Sequence, residues 1–117
     1  MTDTTDCVFC RIVTGEMPAT TVGETERTLG FRDINPQAPT HVLVIPKAHH
    51  DTAAAMATAD GELFGELINH AHRIAANEGI ADSGYRLVFN TGDEGGQTVH
   101  HVHCHLLGGR VMTWPPG

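Results

Sequence analysis

Histidine alternates with apolar residues in one segment, which reads His101-Val-His103-Cys-His105-Leu-Leu. Because successive side chains of a β-strand point to opposite faces, a strand over residues 99–107 would place the three imidazoles on one face. The apolar residues between them would lie on the other face and pack into a core. The segment therefore predicts a half-buried strand with a row of imidazoles on its polar face.

The spacing of this row limits what it can bind. Two residues of strand advance about 6.6 Å, so His101 and His105 would lie roughly 13 Å apart along the backbone. Zinc ligands lie about 2.0–2.1 Å from the ion, so these two imidazoles would not meet on one ion in a regular strand. Imidazole is instead suited to act as nucleophile, base or acid near neutral pH. Beside the Gly-rich loop 92–98, the row predicts a bound oxyanion such as phosphate.

The rest of the pattern predicts an α+β domain. Four short segments read as strands, namely 20–23, 28–31, 41–45 and 85–90. Apolar residues recur at three- and four-residue steps between Thr58 and Asn77, which predicts a long amphipathic helix. His70 and His72 lie off its main apolar stripe, and we expect both to be solvent-exposed. No linker or repeat divides the chain, so one domain is expected over residues 1–117.

Charge and composition exclude several classes of function. The chain has 7 Lys and Arg against 14 Asp and Glu, a formal charge of −7, so we expect no binding to nucleic acid. No apolar run approaches the about 20 residues of a membrane span, so no membrane association is expected. The start, residues 1–6, is polar and acidic. It is expected to be flexible and not to be a secretory signal, which favours a cytoplasmic location.

Two of the three cysteines form the pair Cys7-x-x-Cys10. Without a predicted signal peptide, three cysteines do not indicate a disulfide framework. A redox pair usually follows a strand, and no strand is predicted before this one. The pair supplies only two of the four ligands of a tetrahedral site, so metal binding and simple burial are equal alternatives on this evidence. Together with nine histidines, it also raises the hypothesis of a metal-handling protein.

The histidine segment resembles the signature of the histidine triad family, His-φ-His-φ-His-φ-φ, in which φ is apolar. Four further blocks resemble the family in the same order, at 31–41, 44–49, 95–99 and 107–117. The resemblance covers nearly the whole chain and is most specific for the Hint branch, the nucleoside phosphoramidate hydrolases. It implies a five-stranded, mostly antiparallel sheet with one long helix and a short one. It also implies a homodimer with a continuous ten-stranded sheet, in which the tail 108–117 reaches the partner subunit.

The resemblance further implies a hydrolase that releases a nucleoside monophosphate in two steps. His103 would attack the α-phosphorus and form a covalent nucleotidyl-histidine, and His105 would donate to the leaving atom. His101 and His41 would orient the triad and relay protons. A bound purine nucleotide is implied at further residues, which are Phe9, Ile12, Phe31, Asp33, Ile34, Asn90, Gly96, Gln97, Thr98, Val99 and Trp114.

Roles within that set also follow from the resemblance. Asp33 would accept hydrogen bonds from the ribose, and the apolar members would pack around the base. Gln97, Thr98 and the amide of Val99 would hold phosphate oxygens. Trp114 would line the leaving-group side of the partner subunit's pocket. Two other activities stay open: hydrolysis of dinucleoside polyphosphates, and nucleotide-dependent regulation with incidental hydrolysis.

Many bacterial members of the family carry the cysteine pair and bind zinc with two later histidines. The resemblance therefore implies a structural zinc ion, on a ligand set of Cys7, Cys10, His49 and His101. No cofactor is implied for catalysis itself. If His101 binds zinc, its role becomes that of orienting the triad rather than moving protons. His50 and His100 are rival ligands, because they are the neighbours of His49 and His101 in the sequence.

Overall fold

The computed structural model describes residues 6–117, so of the predicted flexible start only Asp6 lies within the described residues. The elements are α1 (Val8–Thr14), β1 (Thr21–Glu24), β2 (Thr28–Arg32), β3 (Thr40–Pro46), α2 (Ala53–Ala59), α3 (Gly61–Asn77), β4 (Tyr85–Val88) and β5 (Cys104–Gly108). All five strands join one antiparallel sheet in the order β1-β2-β3-β5-β4. The predicted α+β class is confirmed. Over residues 6–117, no helix combines the length and the apolar content that a bilayer crossing needs.

Helix α3 covers one face of the sheet. It begins at Asp60, whose carboxylate accepts a hydrogen bond from the Leu63 N–H and so caps the first turn. Its buried side chains, Leu63 and Leu67 among them, pack on Val42 and Val44 of β3 and on the apolar side of the histidine segment. Each Leu or Val that is fully buried in this way stabilises the fold by about 1.5–3 kcal/mol.

The opposite face of the sheet holds a smaller cluster, which includes Leu43 and Ile45 of β3. Helix α1 adds Phe9 to this cluster, and the Phe9 ring meets Phe31 edge-on at 5.5 Å. The helix ends at Gly15, whose φ of 84° is the left-handed conformation that glycine adopts without strain. Because α1 is only seven residues long, this face stays partly open beside β5.

The helices differ from the prediction in number and extent. The structure has two short helices instead of one, and the predicted helix over 58–77 is divided at Asp60 into the end of α2 and the whole of α3. The side chain of Thr52 caps α2 by accepting from the Ala55 N–H. Helix α2 reads Ala-Ala-Ala-Met-Ala-Thr-Ala, and alanine has the highest helix propensity without giving a two-faced pattern.

Two histidine predictions are also wrong. A strand was predicted over 99–107, but the regular strand begins only at Cys104 and ends at Gly108, and a bend lies at His101. His70 is buried, not solvated: it is 4 % exposed, and its Nδ1 lies 2.7 Å from the hydroxyl of Thr28. That hydroxyl satisfies one ring nitrogen, so the imidazole can lie between α3 and the sheet at little cost. His72 is exposed as predicted.

Candidate active site and metal centre

A cleft of about 430 Å³ opens on the α1 side of the sheet, and we call it the triad cleft. Its volume is within the range of small-molecule sites. Nine residues expected to bind nucleotide or to act in catalysis line it: Phe9, Ile12, Phe31, Asp33, Ile34, Thr98, Val99, His103 and His105. A larger depression of about 630 Å³ is lined by residues 79, 80, 83–86 and 109–112. It contains no imidazole, thiol or carboxylate, so the smaller cleft has the chemistry.

His103 is held in one protonation state by its surroundings. Its Nδ1 lies 2.9 Å from the backbone carbonyl of His101. A carbonyl only accepts hydrogen bonds, so Nδ1 carries the hydrogen and Nε2 keeps its lone pair. The side chain is 7 % exposed, and this burial lowers the pKa of His103, which keeps the ring neutral at pH 7. A neutral imidazole with a free Nε2 is a nucleophile.

His41 and His105 form a hydrogen-bonded chain whose direction is set by the backbone. The N–H of Gln37 donates to Nδ1 of His41 at 3.0 Å, so the hydrogen of this ring lies on Nε2. His41 Nε2 is 2.9 Å from His105 Nδ1 and 3.4 Å from a carboxylate oxygen of Asp33. His41 therefore donates to His105, with Asp33 as a weaker second acceptor.

His105 ends this chain with an unused donor. Its Nδ1 accepts from His41, so its own hydrogen lies on Nε2. Among the side-chain nitrogen and oxygen atoms of residues 6–117, His105 Nε2 is the buried one without a partner. Burial lowers the pKa of His105 to about 4, so the ring is neutral at pH 7. Leaving a donor buried and unpaired costs about 1–3 kcal/mol, which an acceptor bound beside it would recover.

Four side chains on the other side of His103 form a second cluster, the Cys/His centre, whose members are Cys7, Cys10, His49 and His101. Their Sγ and Nδ1 atoms all lie within 4.8 Å of one another. Cys7 Sγ is 3.3 Å from His101 Nδ1, and Cys10 Sγ is 3.3 Å from His49 Nδ1. Ligand atoms of a tetrahedral zinc ion lie about 3.5 Å apart, given zinc–sulfur and zinc–nitrogen distances of about 2.3 and 2.0–2.1 Å.

The outer partners of the two imidazoles direct their lone pairs into the Cys/His centre. His49 Nε2 lies 3.0 Å from a carboxylate oxygen of Asp51, and His101 Nε2 lies 2.8 Å from the carbonyl of Pro46. Each Nε2 therefore donates outward, and each Nδ1 is left with a lone pair that points toward the thiols. Two thiols and two such imidazoles fit a structural zinc ion. The rival ligands His50 and His100 are not part of this cluster.

A model of the HIT domain family matches residues 14–112. The chain belongs to the HIT family. A 14 kDa zinc-binding protein from Zea mays is 49 % identical over 118 residues, covering 98 % of this chain and 91 % of the relative. Adenylylsulfatase HINT1 from Arabidopsis thaliana is 43 % identical, covering 94 % and 76 %. The crystal structure of a HIT family hydrolase from Legionella pneumophila aligns with a TM-score of 0.92 and 54 % identity, over 96 % of this chain and all of that one.

These similarities confirm the expected family and its Hint-like branch. The aligned hydrolase covers 96 % of this chain, so the two structures share the fold described above.

Some expected site residues of this HIT domain lie outside the triad cleft. The side chain of Gln97 is fully used as a brace: its carbonyl accepts from the Gly92 N–H, and its amide donates to the carbonyls of Asp51 and Val99. Gly96 is an exposed turn residue with a φ of 82°. These observations leave Thr98 and Val99 as the members of that loop that face the triad cleft.

Three further expected site residues, Asn90, His101 and Trp114, each lie in a different part of the structure. Asn90 lines a second cleft, together with His41 and His105. His101 lies in the Cys/His centre, and only its backbone carbonyl contacts His103. Trp114 is 81 % exposed in the single chain, so its expected contact with a partner subunit stays a prediction.

Sequence reasoning missed some groups that shape the site. Val8, Met17 and Leu43 also line the triad cleft, and their apolar character alone could not distinguish them from core residues. The Gln37 N–H that orients His41 was missed because the acting group is backbone, which every residue but proline carries. A usable signal was present, because the prolines at 36 and 39 fix the shape of that loop.

Proposed function

We propose that this HIT domain hydrolyses purine nucleoside 5′-phosphoramidates through a covalent nucleotidyl-histidine on His103. The observation that supports this most directly is the direction of the hydrogen bonds around two neighbouring rings. His103 presents a lone pair and His105 presents a hydrogen, and their ring centroids are 5.0 Å apart. Membership of the HIT family and likeness to a HIT family hydrolase support a nucleotide hydrolase in general.

The triad cleft suits a nucleoside monophosphate. The rings of Phe9 and Phe31 and the side chain of Ile12 offer an apolar surface for a purine. Asp33 lies at the same cleft and would accept hydrogen bonds from ribose hydroxyls. Thr98 would donate to a phosphate oxygen. The nucleotide would thus lie with its phosphorus beside His103 and its leaving atom beside His105.

Two displacements at phosphorus complete the proposed reaction. In the first, His103 Nε2 bonds to phosphorus while the P–N bond breaks and its electron pair passes to nitrogen, which takes a proton from solvent while His105 Nε2 donates a hydrogen bond to it. In the second, water attacks the phosphorus, the bond to His103 breaks, and its electron pair returns to Nε2. The attacking water gives its proton to solvent, which replaces the proton taken up in the first step. His41 keeps the His105 ring in place throughout.

We further propose that Cys7, Cys10, His49 and His101 hold one zinc ion. Thiolate and imidazole ligands select zinc over Mg²⁺ or Ca²⁺. When bound, the ion supplies a tetrahedral cross-link between the start of α1 and the chain before His103. The likeness to a zinc-binding protein from Zea mays supports the choice of metal.

The homodimer is also part of this proposal. Strand β4 is an edge strand, with β5 as its only neighbour in the sheet, and pairing with a second copy would extend the sheet to ten strands and cover that edge. Trp114 and Val111 of the tail are 81 % and 86 % exposed. Exposed apolar side chains of this size favour an interface with a partner subunit.

A direct test compares three substrates in one assay: adenosine phosphoramidate, diadenosine polyphosphate and adenylyl sulfate. The last is included because of the likeness to a protein named adenylylsulfatase, which makes a phosphosulfate anhydride the second candidate. We expect the phosphoramidate to have the highest kcat/KM, and rapid quenching into alkaline denaturant within one turnover to leave the nucleotide attached to His103. Preference for either other substrate, or no label on His103, would contradict the proposal.

A further inference from the structure

The two thiols of the Cys/His centre lie one helical turn apart. Cys7 caps the first turn of α1, since its Sγ accepts a hydrogen bond from the Cys10 N–H at 3.3 Å. Residues three positions apart in a helical turn have Cα atoms about 5 Å apart, which is within the range that a disulfide spans. Both sulfur atoms belong to the set of ligand atoms that lie within 4.8 Å of one another. A disulfide between Cys7 and Cys10 is therefore compatible with the backbone as it stands.

This pair differs from the third cysteine in its access to solvent. Cys7 and Cys10 are half-buried, whereas Cys104 is 0 % exposed in the α3 core. A cleft of about 310 Å³, which we call the thiol cleft, is lined by Cys7 together with His49 and Val99. Hydrogen peroxide is little larger than water and fits a space of this size. A small oxidant can therefore reach Cys7 in the folded protein.

Two short paths connect the thiol pair to the histidine proposed as nucleophile. Phe9 lies between the two cysteines in the sequence, and its ring meets the His103 ring edge-on at 5.1 Å. The Nδ1 atom of His101 is 3.3 Å from Cys7 Sγ and 3.5 Å from Cys10 Sγ. The backbone carbonyl of the same His101 accepts the Nδ1 hydrogen of His103. A change in what the thiols bond to therefore acts on both groups that hold the His103 ring.

We propose that Cys7 and Cys10 are an oxidative modification site, at which a peroxide joins the two thiols in a disulfide and slows the reaction at His103. Disulfide sulfurs have no thiolate charge for a cation, so the Cys/His centre would keep only its two imidazole ligands. The new bond also constrains the first turn of α1, which carries Phe9. The effect on turnover rests on the proposed function, whereas the modification itself does not.

The oxidation consumes one hydrogen peroxide for each chain. The Cys7 thiolate attacks one peroxide oxygen, the O–O bond breaks, and hydroxide leaves, with a sulfenic acid remaining on Cys7. The Cys10 thiolate then attacks that sulfur, the S–S bond forms, the S–O bond breaks, and a second hydroxide leaves. The two sulfurs lose two electrons to the peroxide oxygens, and each hydroxide takes a proton from solvent to become water. An added dithiol reverses the change by thiol–disulfide exchange.

The test treats the full chain, as purified, with hydrogen peroxide. Mass spectrometry without reductant should show that the peptide containing Cys7 and Cys10 has lost two hydrogens, and a chromophoric chelator should detect the release of bound zinc in step with this loss. The kcat for adenosine phosphoramidate should fall about tenfold or more, because misplacing a reacting group by about 1 Å can cost about 100-fold. Dithiothreitol with added zinc should restore it. The nitrogen NMR signals of the His103 ring should shift on oxidation, which is a readout that needs no turnover.

Cys104→Ala is the matched control, because it removes the buried thiol and keeps the pair, so it should respond to peroxide as the unmodified protein does. Cys10→Ser cannot form the disulfide and should show no loss of turnover that dithiothreitol reverses. A pair that stays reduced at a dose that fully oxidises free cysteine overturns the inference. A disulfide that leaves both kcat and the His103 signals unchanged overturns it as well. Absence of phosphoramidate hydrolysis in the untreated protein contradicts the proposed function instead, since the disulfide and the His103 signals are measured without it.

Discussion

The two imidazole clusters of this HIT domain use the same ring in opposite ways. In the Cys/His centre, His49 and His101 give their Nε2 hydrogens to oxygen atoms outside the cluster, and their Nδ1 lone pairs converge. In the hydrogen-bonded pair of His41 and His105, the backbone N–H of Gln37 donates to Nδ1 of His41. The hydrogen on Nε2 of His105 has no partner within residues 6–117. One cluster has the converging lone pairs that a cation would need, and the other has a hydrogen that a ligand could accept.

The outer hydrogen-bond partner therefore decides what each imidazole can do. Geometry alone does not decide it, because Asp33, His41 and His105 also place ligand atoms within 4.8 Å of one another. The Gln37 N–H donates to His41 Nδ1, and the hydrogen on His41 Nε2 points at His105. Both nitrogens of His41 are therefore used in hydrogen bonds, and neither is free for a metal.

The largest expected effect comes from removing the proposed nucleophile. His103→Ala should lower turnover by roughly four orders of magnitude, because the proposed covalent step then lacks its attacking group. Binding of the product nucleotide should persist, since Phe9, Phe31 and Asp33 still line the triad cleft. Stopped-flow kinetics and calorimetric titration with AMP measure the two quantities.

His72→Ala is the control for this variant, because His72 is exposed, lies on α3 away from the triad cleft, and forms a hydrogen bond with the Tyr85 hydroxyl through its Nδ1. It should retain normal turnover. Burst kinetics in His103→Ala similar to those of the unmodified protein would show that another residue is the nucleophile.

Removing a thiol from the Cys/His centre tests the other side of the comparison. Cys10→Ser should lose the zinc ion and melt roughly 10–15 °C lower, since an ion held at 1,000 times its Kd adds about 4 kcal/mol to the folded state. Cys104→Ala is the control: Cys104 is buried in the α3 core, so the variant should be mildly destabilised yet keep one zinc per chain. Elemental analysis and thermal melts measure both, and well under one zinc in the unmodified protein would contradict the metal assignment.

A smaller effect is expected when only the outer partner of a ligand is changed. In Asp51→Asn the group that accepts from His49 Nε2 loses its charge, while all four ligands remain. Zinc affinity should fall about 10–100-fold, which is typical for such partners. Competition with a chromophoric chelator gives the affinity. An unchanged affinity would mean that the partner does not fix the direction of the His49 lone pair.

The sequence predicted the groups of both clusters better than their arrangement. The alternation of histidine with apolar residues over 101–107 identified the three imidazoles. That pattern depends only on the type and order of the residues. It did not predict the bend at His101, which turns that ring toward the cysteines and away from His105. The bend depends on contacts with Pro46 and Cys7, which are distant in the sequence, so no local pattern could reveal it.

Two other side chains have partners that only tertiary structure sets. The expected contact of Gln97 with phosphate stays a prediction, and its amide bonds to the backbone of Gly92, Asp51 and Val99. His70 was expected in solvent because it lies beside the apolar stripe of α3. The partner that allows its burial, Thr28, lies on β2, more than forty positions earlier in the chain.

The smallest expected effect is the one on stability when His70 is replaced. This imidazole belongs to neither cluster. Burial, with a smaller contribution from Arg73, lowers its pKa below the usual 6.5. The unfolded chain then binds a proton at higher pH than the folded chain does, so His70 stabilises the fold fully above pH 6.5 and less as the pH falls below it. The loss is at most about 1.4 kcal/mol for each pH unit between the two pKa values.

Urea unfolding of His70→Gln and of the unmodified protein between pH 7.5 and pH 5 isolates this contribution. Burial also lowers the pKa of His41, His103 and His105, so both proteins should lose stability in acid, and the unmodified protein should lose more. Parallel curves would mean that His70 stays neutral or exposed in both states. A steeper curve for the unmodified protein would show that the pKa of an imidazole can be lowered, mainly by burial, at a place that is not a site. Hydrogen-bond partners, rather than burial, would then distinguish the imidazoles proposed to bind zinc from the one proposed to donate a hydrogen to a ligand.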